Sequence, residues 1–257
     1  MRKPGLLFAI LAVLLLVAPF FAPHDPARTN TDTALQAPDT EHPLGTDALG
    51  RDVLSRILAG GQRTFLQATV ATVLAVGLGV GLGLAAAFGG RVFAGLARAT
   101  AAALLAVPQL VWSLAILALL GPGTGSLVVA LAIPLMAPVA VVSRSTFRSV
   151  SSLPFVSAAG AVGATGLRIV TRHIIPNSTG ILFRYTAVIF TYAILNGAGL
   201  AFLGFSEPGT PEWGAMLNEA RLSFRTSPWP ALASGLAIIF LVWAALSISR
   251  EDISSRQ

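Results

Sequence analysis

Residues 65–88 read FLQATVATVLAVGLGVGLGLAAAF, a run without one charged side chain. As a helix rising about 1.5 Å per residue, it exceeds the roughly 20 apolar residues that cross a hydrocarbon core. Working outward, comparable runs occur at 5–22, 97–120, 127–142, 179–202 and 231–249. The run at 127–142 is short and carries Pro134 and Pro138, which a span tolerates when neighbouring helices satisfy the freed carbonyls. The run at 5–22 follows Arg2 and Lys3 and has the outline of a secretory leader, whose removal would leave five spans. Its end, APFFA at 18–22, puts Phe20 where a cleavage site wants a small residue, so it reads as a retained helix. The expected fold is all-α: a polytopic membrane bundle of six transmembrane helices.

Composition agrees. The 257 residues are 54% hydrophobic and 11% charged, with a mean hydropathy of +0.77. A soluble domain carries about 25% charged residues, and 17 basic with 11 acidic side chains cannot give this chain a polar skin. Disorder, a disulfide-stapled secreted domain and a nucleic-acid reader are excluded. The net charge of +6 reads as loop arginine that sets topology rather than as a polyanion site. With no cysteine there is no disulfide and no thiolate metal site.

The distribution of charge orients the bundle. With the amino terminus in the cytoplasm, the inside collects Arg2, Lys3, Arg91, Arg98, Arg144, Arg148, Arg168, Arg172, Arg250 and Arg256. The outside holds Arg28, Arg51, Arg56, Arg63, Arg221 and Arg225, mostly in one long loop where the positive-inside rule is weak. Both termini are therefore expected on the cytoplasmic side. The expected organisation is an amino-terminal span with an outer amphipathic segment over 1–63, a domain of the remaining spans over 64–250 and a short cytoplasmic tail over 251–257.

Several chemistries are missing. Lys3 is the only lysine, so no glycine-rich loop followed by lysine can cradle a nucleotide phosphate. No nucleophile–base set can be assembled, which leaves a membrane enzyme the weakest class. His24, His42 and His173 lie far apart in the sequence and read as solvated loop residues rather than ligands, so no metal or other cofactor is expected. Between Asp52 and Glu207 there is no carboxylate at all. Ion-coupled carriers use intramembrane carboxylates as relays, so the interior reads as a passive conduit whose energy comes from another subunit. A self-sufficient secondary carrier or channel is the alternative.

Three segments carry the function. Residues 155–177, FVSAAGAVGATGLRIVTRHIIPN, read as a short helix, a break at 163–166 and a second short helix ended by Pro176. Ala158 and Ala159 permit close approach of another backbone, and Arg168 and Arg172 share a face at a spacing of four. The chemistry suits either a cytoplasmic docking knob or a loop tethered to anionic headgroups. Residues 42–56, HPLGTDALGRDVLSR, turn at Pro43 and Gly45, with Asp47 placed to cap a helix from Ala48 and with Arg51 and Asp52 at the outer surface. Residues 202–216, FLGFSEPGTPEWGAM, place Glu212 in an outer loop and Trp213 as an interfacial anchor.

Within the spans, Gly77/Gly81 and Gly79/Gly83 form small-x-x-x-small pairs suited to close packing in lipid. Gln109 and Asn196 are the polar groups that either hydrogen-bond between helices or line a translocation path.

The 155–177 segment resembles the EAA loop of ABC importer permeases, with Ala158, Ala159, Gly163 and Pro176 in the motif's places and Ser157 where the family carries glutamate. The stretch LRIVTRHIIPN over 167–177, the HPLGTDALGRD segment and TPEWGAM over 210–216 are similar to the dipeptide/oligopeptide/nickel branch, in its second-permease type. The likeness covers about residues 42–229. The 91–98 connection departs from it by having no acidic residue. The resemblance implies a coupling helix between spans four and five, built around Ser157, Ala158, Ala159, Gly163, Arg168, Arg172, His173 and Pro176. It implies outer-loop roles for Asp47, Arg51, Asp52, Glu212 and Trp213, and makes 64–250 a permease domain in a bacterial inner membrane. It also implies a homologous second permease, two ATP-binding subunits that hold the ATP, and an extracytoplasmic binding protein delivering peptides, nickel or metal chelates.

Overall fold

The computed structural model describes residues 3–250; Arg2 and the expected tail at 251–257 lie outside the described residues. Among residues 3–250, ten α-helices follow one another: α1 (Lys3–Val17), α2 (Val53–Phe88), α3 (Arg91–Ala106), α4 (Gln109–Leu120), α5 (Thr124–Ser151), α6 (Pro154–Ala161), α7 (Gly166–Ile169), α8 (Ile175–Phe202), α9 (Trp213–Ala220) and α10 (Trp229–Arg250). No strand is present among the described residues; the sole ladder contact is an isolated bridge between Thr46 and Asp52.

Among the described residues, four helical stretches are long and apolar enough to cross a membrane: Val53–Phe88, Thr124–Ser151, Gly166–Phe202 and Trp229–Ile248. The number is five if the bent pair α3–α4 makes one span. Six uninterrupted spans are thus not seen. The expected span at 97–120 is two helices bent by 95°. A proline ring disfavours α geometry in the residue before it, and Val107 accordingly sits at φ −115°, ψ 138° ahead of Pro108. The first run folds as α1 and a 3-10 turn at Ala18–Phe21, with an apolar stretch, Phe8–Phe21, shorter than a full span.

Other boundaries differ for local reasons. Helix α2 starts at Val53, capped by the Asp52 carboxylate accepting from the Ser55 amide. Its 36 residues make a rod of about 54 Å. A hydrocarbon core is only about 30 Å thick, so its first turns, bearing Arg56 and Arg63, project beyond the membrane. Helix α5 absorbs Pro134 and Pro138 and continues to Ser151. Pro176 does not end a helix. A five-residue π turn, Val170–Ile174, precedes it, and Gly166–Phe202 runs on as one rod. In it the Ile175 N–H donates to the Val170 carbonyl, and the wider turn leaves room for the Pro176 ring, which has no N–H to donate.

Helices α2 and α5 run parallel, with Gly79 against Val139 and Gly83 against Ser143. Helix α8 runs antiparallel to them: Ile174, just before it, packs with Ala87, Phe147 and Val150, while Glu207, just after it, reaches Arg63 and Thr124. The main core joins α2, α4, α5, α8, α9 and α10 through Ala71, Leu117, Leu131, Leu135, Ile189, Ile194, Met216 and Leu241. Phe8, Phe65 and Phe190 pin α1 to α2 and α8, the Phe8–Phe190 pair edge-on at 5.6 Å. Large apolar side chains such as Val73, Leu119 and Trp243 face outward, as expected where lipid is the solvent.

Candidate functional site

Two opposite ends of the bundle concentrate the residues singled out by sequence. At the α6–α7 end, Leu153 precedes α6 and Pro154 occupies its first turn, a position that needs no amide donor. The helix ends in a Schellman motif: Ala164 N–H donates to the Ala159 carbonyl and Gly163 N–H to the Gly160 carbonyl. That motif puts the residue after the cap in the left-handed region, and Gly163 has φ +86°. Thr165 then caps α7, accepting from the Arg168 amide. The glycine of the motif is therefore required by the turn itself.

This knob is only lightly seated. On α6, Val156 is the buried residue, and Ile169 reaches back to within 3.9 Å of where a Gly160 side chain would start. The Phe155 and His173 rings meet at 6.4 Å. Ser157, Ala158, Gly163, Arg168, Arg172 and Pro176 are exposed, with Ala159 and His173 half-buried. Phe155, Val162 and Leu167 are exposed as well. The knob thus presents small residues, exposed apolar side chains and the exposed Arg168 and Arg172 on one surface.

At the other end, the glycine-rich segment before α2 is a web of turns. The Asp47 carboxylate accepts from the Leu49 and Arg51 amides, so Asp47 holds a tight turn and does not cap a helix from Ala48. Gly50 has φ +70°, and a Cβ there would overlap the Asn30 carbonyl. Four charges then interlock. Arg51 Nε lies 2.7 Å and Arg56 Nη1 3.1 Å from Asp47 Oδ2, while Arg51 Nη2 and Arg56 Nη2 lie 2.6 and 2.8 Å from Glu219 Oε2. Glu219, unmarked in the sequence reading, thereby fastens α9 to the start of α2. Only its distance of more than 160 residues from its partners hid it.

Glu212 and Trp213 are not at a surface. Trp213 is 3% exposed, its ring lies against Gly60 and Gly61, and its indole N–H donates to the Ile57 carbonyl at 2.9 Å. It is a core anchor rather than an interfacial one, because α9 folds back under the projecting turns of α2. Glu212, 2% exposed, accepts from Gln67 Nε2 at 2.6 Å. Burial pushes its carboxyl above the ordinary carboxylate range, and the Gln67 hydrogen bond only partly opposes this. The Asp52 carboxyl lies below that range: burial raises it, but hydrogen bonds from Ser55 and His42 outweigh burial.

Two of the three histidines depart from expectation. His24 and His42 come together, ring centroids 4.9 Å apart, with His42 Nδ1 2.9 Å and His24 Nδ1 3.8 Å from the Asp52 oxygens. The 22–52 loop folds back on itself, so positions in one loop but far apart in sequence meet. Gln109 and Asn196 are not brought together: the Asn196 amide donates to the Tyr192 carbonyl of its own helix, and Gln109 Nε2, beside the Pro108 break, is buried without a protein partner.

The described helices form a bundle with four or five membrane-length spans. In fold it is similar to an amino acid ABC transporter (TM-score 0.60, 17% identity, 79% of this chain and 94% of that one). It is also similar to the MetNI methionine ABC transporter in an inward-facing form (TM-score 0.63, 14% identity, 76% and 94%). Residues 77–250 match the family of binding-protein-dependent transport system inner membrane components. The di/tripeptide transport system permease protein DppC of Pseudomonas aeruginosa is 35% identical over 93% of this chain and 82% of its own length. The glutathione transport system permease protein GsiD of Escherichia coli is 32% identical over 95% and 82%. The chain belongs to this family of ABC importer permeases, in its peptide branch: a multi-pass inner-membrane subunit that is not itself the enzyme.

Proposed function

We propose that the chain is one of two homologous membrane subunits of an ATP-driven importer of short peptides, moved by two ATPase subunits that dock on α6 and α7. The relatives named above carry di/tripeptides or glutathione, which favours short peptides over nickel or metal chelates as cargo. The α6–α7 end then faces the cytoplasm, together with both termini, and the α9 end receives an extracytoplasmic binding protein. Residues 64–250 act as the permease domain, with 1–63 supplying the first helix and the outer segment.

The observation that carries this reading is the exposed knob. Ser157 and Ala158 on α6 and the Arg168/Arg172 pair project from a small satellite core, in the place where force from below would reach α5 and α8 together. A nucleotide-driven change can shift the bundle only through contacts that differ between its two states, and the knob is the surface available for them. In the absence of Ser157's family glutamate, the arginines and the apolar rim carry the contact.

The test is co-purification of the ATPase with the chain, alongside uptake in proteoliposomes. Ala159→Glu and Gly163→Glu should lose both while the membrane subunits remain monodisperse. Unchanged ATPase capture and uptake in both variants, or uphill transport by this chain alone, would overturn the proposal.

A further inference from the structure

We propose that His24, His42 and Asp52 form a binding site for a divalent transition ion of the zinc class, with water completing the coordination, which clamps the 22–52 loop to the start of α2. The ligand atoms of the three residues all lie within 4.8 Å of one another. Tetrahedral zinc with bonds of about 2.0–2.2 Å places neighbouring ligand atoms about 3.3–3.6 Å apart. The separations to the two Asp52 oxygens lie on either side of that range: 2.9 Å from His42 Nδ1 to Oδ1, a hydrogen-bonded pair, and 3.8 Å from His24 Nδ1 to Oδ2. Two imidazoles and one carboxylate are a donor set that first-row divalent ions share, and one that magnesium or calcium would not favour.

A second observation comes from His24 itself. Its Nδ1 is buried and has no hydrogen-bond partner, and at 3.8 Å from the carboxylate it is too far for one. A buried ring nitrogen aimed at a carboxylate oxygen without touching it is arranged for an intervening cation.

The surroundings are built to hold the ligands still. Ser55 donates to Asp52 Oδ2 from its amide at 2.8 Å and its hydroxyl at 2.7 Å, while the same hydroxyl accepts the His24 backbone N–H at 3.0 Å. Asp39 accepts from the Glu41 and His42 amides and fixes the turn that carries His42. Such outer contacts orient metal ligands and are worth about 10–100-fold in affinity elsewhere. The adjoining cavity of ≈ 110 Å³ is lined by Asp25 and Glu41 as well as Asp52, against the single guanidinium of Arg28. Its field therefore favours a cation.

The inference stands apart from the transport reading, since it concerns the loop alone. The full-length chain, purified in nanodiscs with a tag free of histidine and stripped with chelator, is titrated with Zn²⁺ against a chromophoric competitor and separately with Co²⁺. One equivalent of Zn²⁺ and the intense visible bands of four-coordinate Co²⁺ are expected. His24→Ala and His42→Ala should each weaken Zn²⁺ binding by about tenfold or more, with His173→Ala unchanged. Absence of the Co²⁺ bands from the wild-type chain, or undiminished Zn²⁺ binding in His24→Ala, overturns the site. The Co²⁺ readout needs no variant, so a misfolded mutant cannot obscure the result.

Discussion

Four of the six glycines of α2, at 77, 79, 81 and 83, give a prediction with its own control. A Cβ at Gly79 would stand 2.5 Å from the Val139 Cβ, and one at Gly83 would stand 2.6 Å from the Ser143 Cβ, whereas nothing lies within 4 Å of a Cβ at Gly77 or Gly81. All four positions are interior to one helix, so Gly→Ala brings the same propensity gain of about 0.8–1 kcal/mol at each. The difference between the two pairs therefore isolates overpacking. Ordinary contact begins near 3.4 Å, so α2 and α5 must part by roughly 0.8–0.9 Å, a strain in the range of about 1–3 kcal/mol. For a chain of this size that corresponds to roughly 2–12 °C between the pairs. Thermal unfolding of each single variant in nanodiscs measures it. Gly79→Ala and Gly83→Ala should melt well below Gly77→Ala and Gly81→Ala. Four coincident melting curves, or the reverse order, would refute the parallel α2–α5 packing as described.

Three further outcomes follow from the two ends of the bundle. Gly163→Ala forces a side chain into the left-handed region at a cost of about 1–2 kcal/mol; faster hydrogen exchange confined to the 159–165 amides should report it. Arg56→Ala leaves the Asp47 and Glu219 carboxylates to Arg51 alone. A fully buried pair would cost about 3–5 kcal/mol to break, but Glu219 is well exposed, so about 1–3 kcal/mol is expected, with the coupling to Glu219→Ala read from a double-mutant cycle. Because the Glu212 carboxyl is raised by burial, the folded state holds its proton to higher pH than the unfolded chain. Stability from this group is present in acid and falls as pH rises from 4.5 through the folded value. Glu212→Gln should flatten that dependence and leave the variant the more stable form in mild alkali; an unchanged pH profile would contradict it.

Much of this architecture is legible in the chain because lipid makes apolar runs and glycine spacing carry direct meaning. The positions that misled did so where a second constraint competed. Pro108 and its extended Val107 break an apolar run that hydropathy treats as continuous. Asp47 and Asp52 are both acceptable caps, and only the turn at Gly50 decides that Asp52 caps α2. Pro176 looks like a stop until a π turn makes room for it. Of the two glycine pairs, sequence spacing alone gives no reason to prefer Gly79/Gly83 as the internal one. Trp213 satisfies the rule for an interfacial anchor yet lies in the core, since the fold-back of α9 depends on Arg51, Arg56 and Glu219 meeting across more than 160 residues. The convergence of His24 and His42 on Asp52 is likewise a product of loop folding that no local pattern announces.

The central claim is that this chain is a passive gate driven through α6 and α7. It is tested most directly by a disulfide crosslink in the assembled importer, for which a cysteine-free chain is ready made. Ser157→Cys on the exposed face of α6, paired with a cysteine at the rim of the ATPase docking groove, should crosslink rapidly under mild oxidation and should do so at a rate that changes when ATP is added. No crosslink to the ATPase at any nucleotide state, with Ser157→Cys labelled instead by a membrane-impermeant thiol reagent in intact cells, would contradict the account.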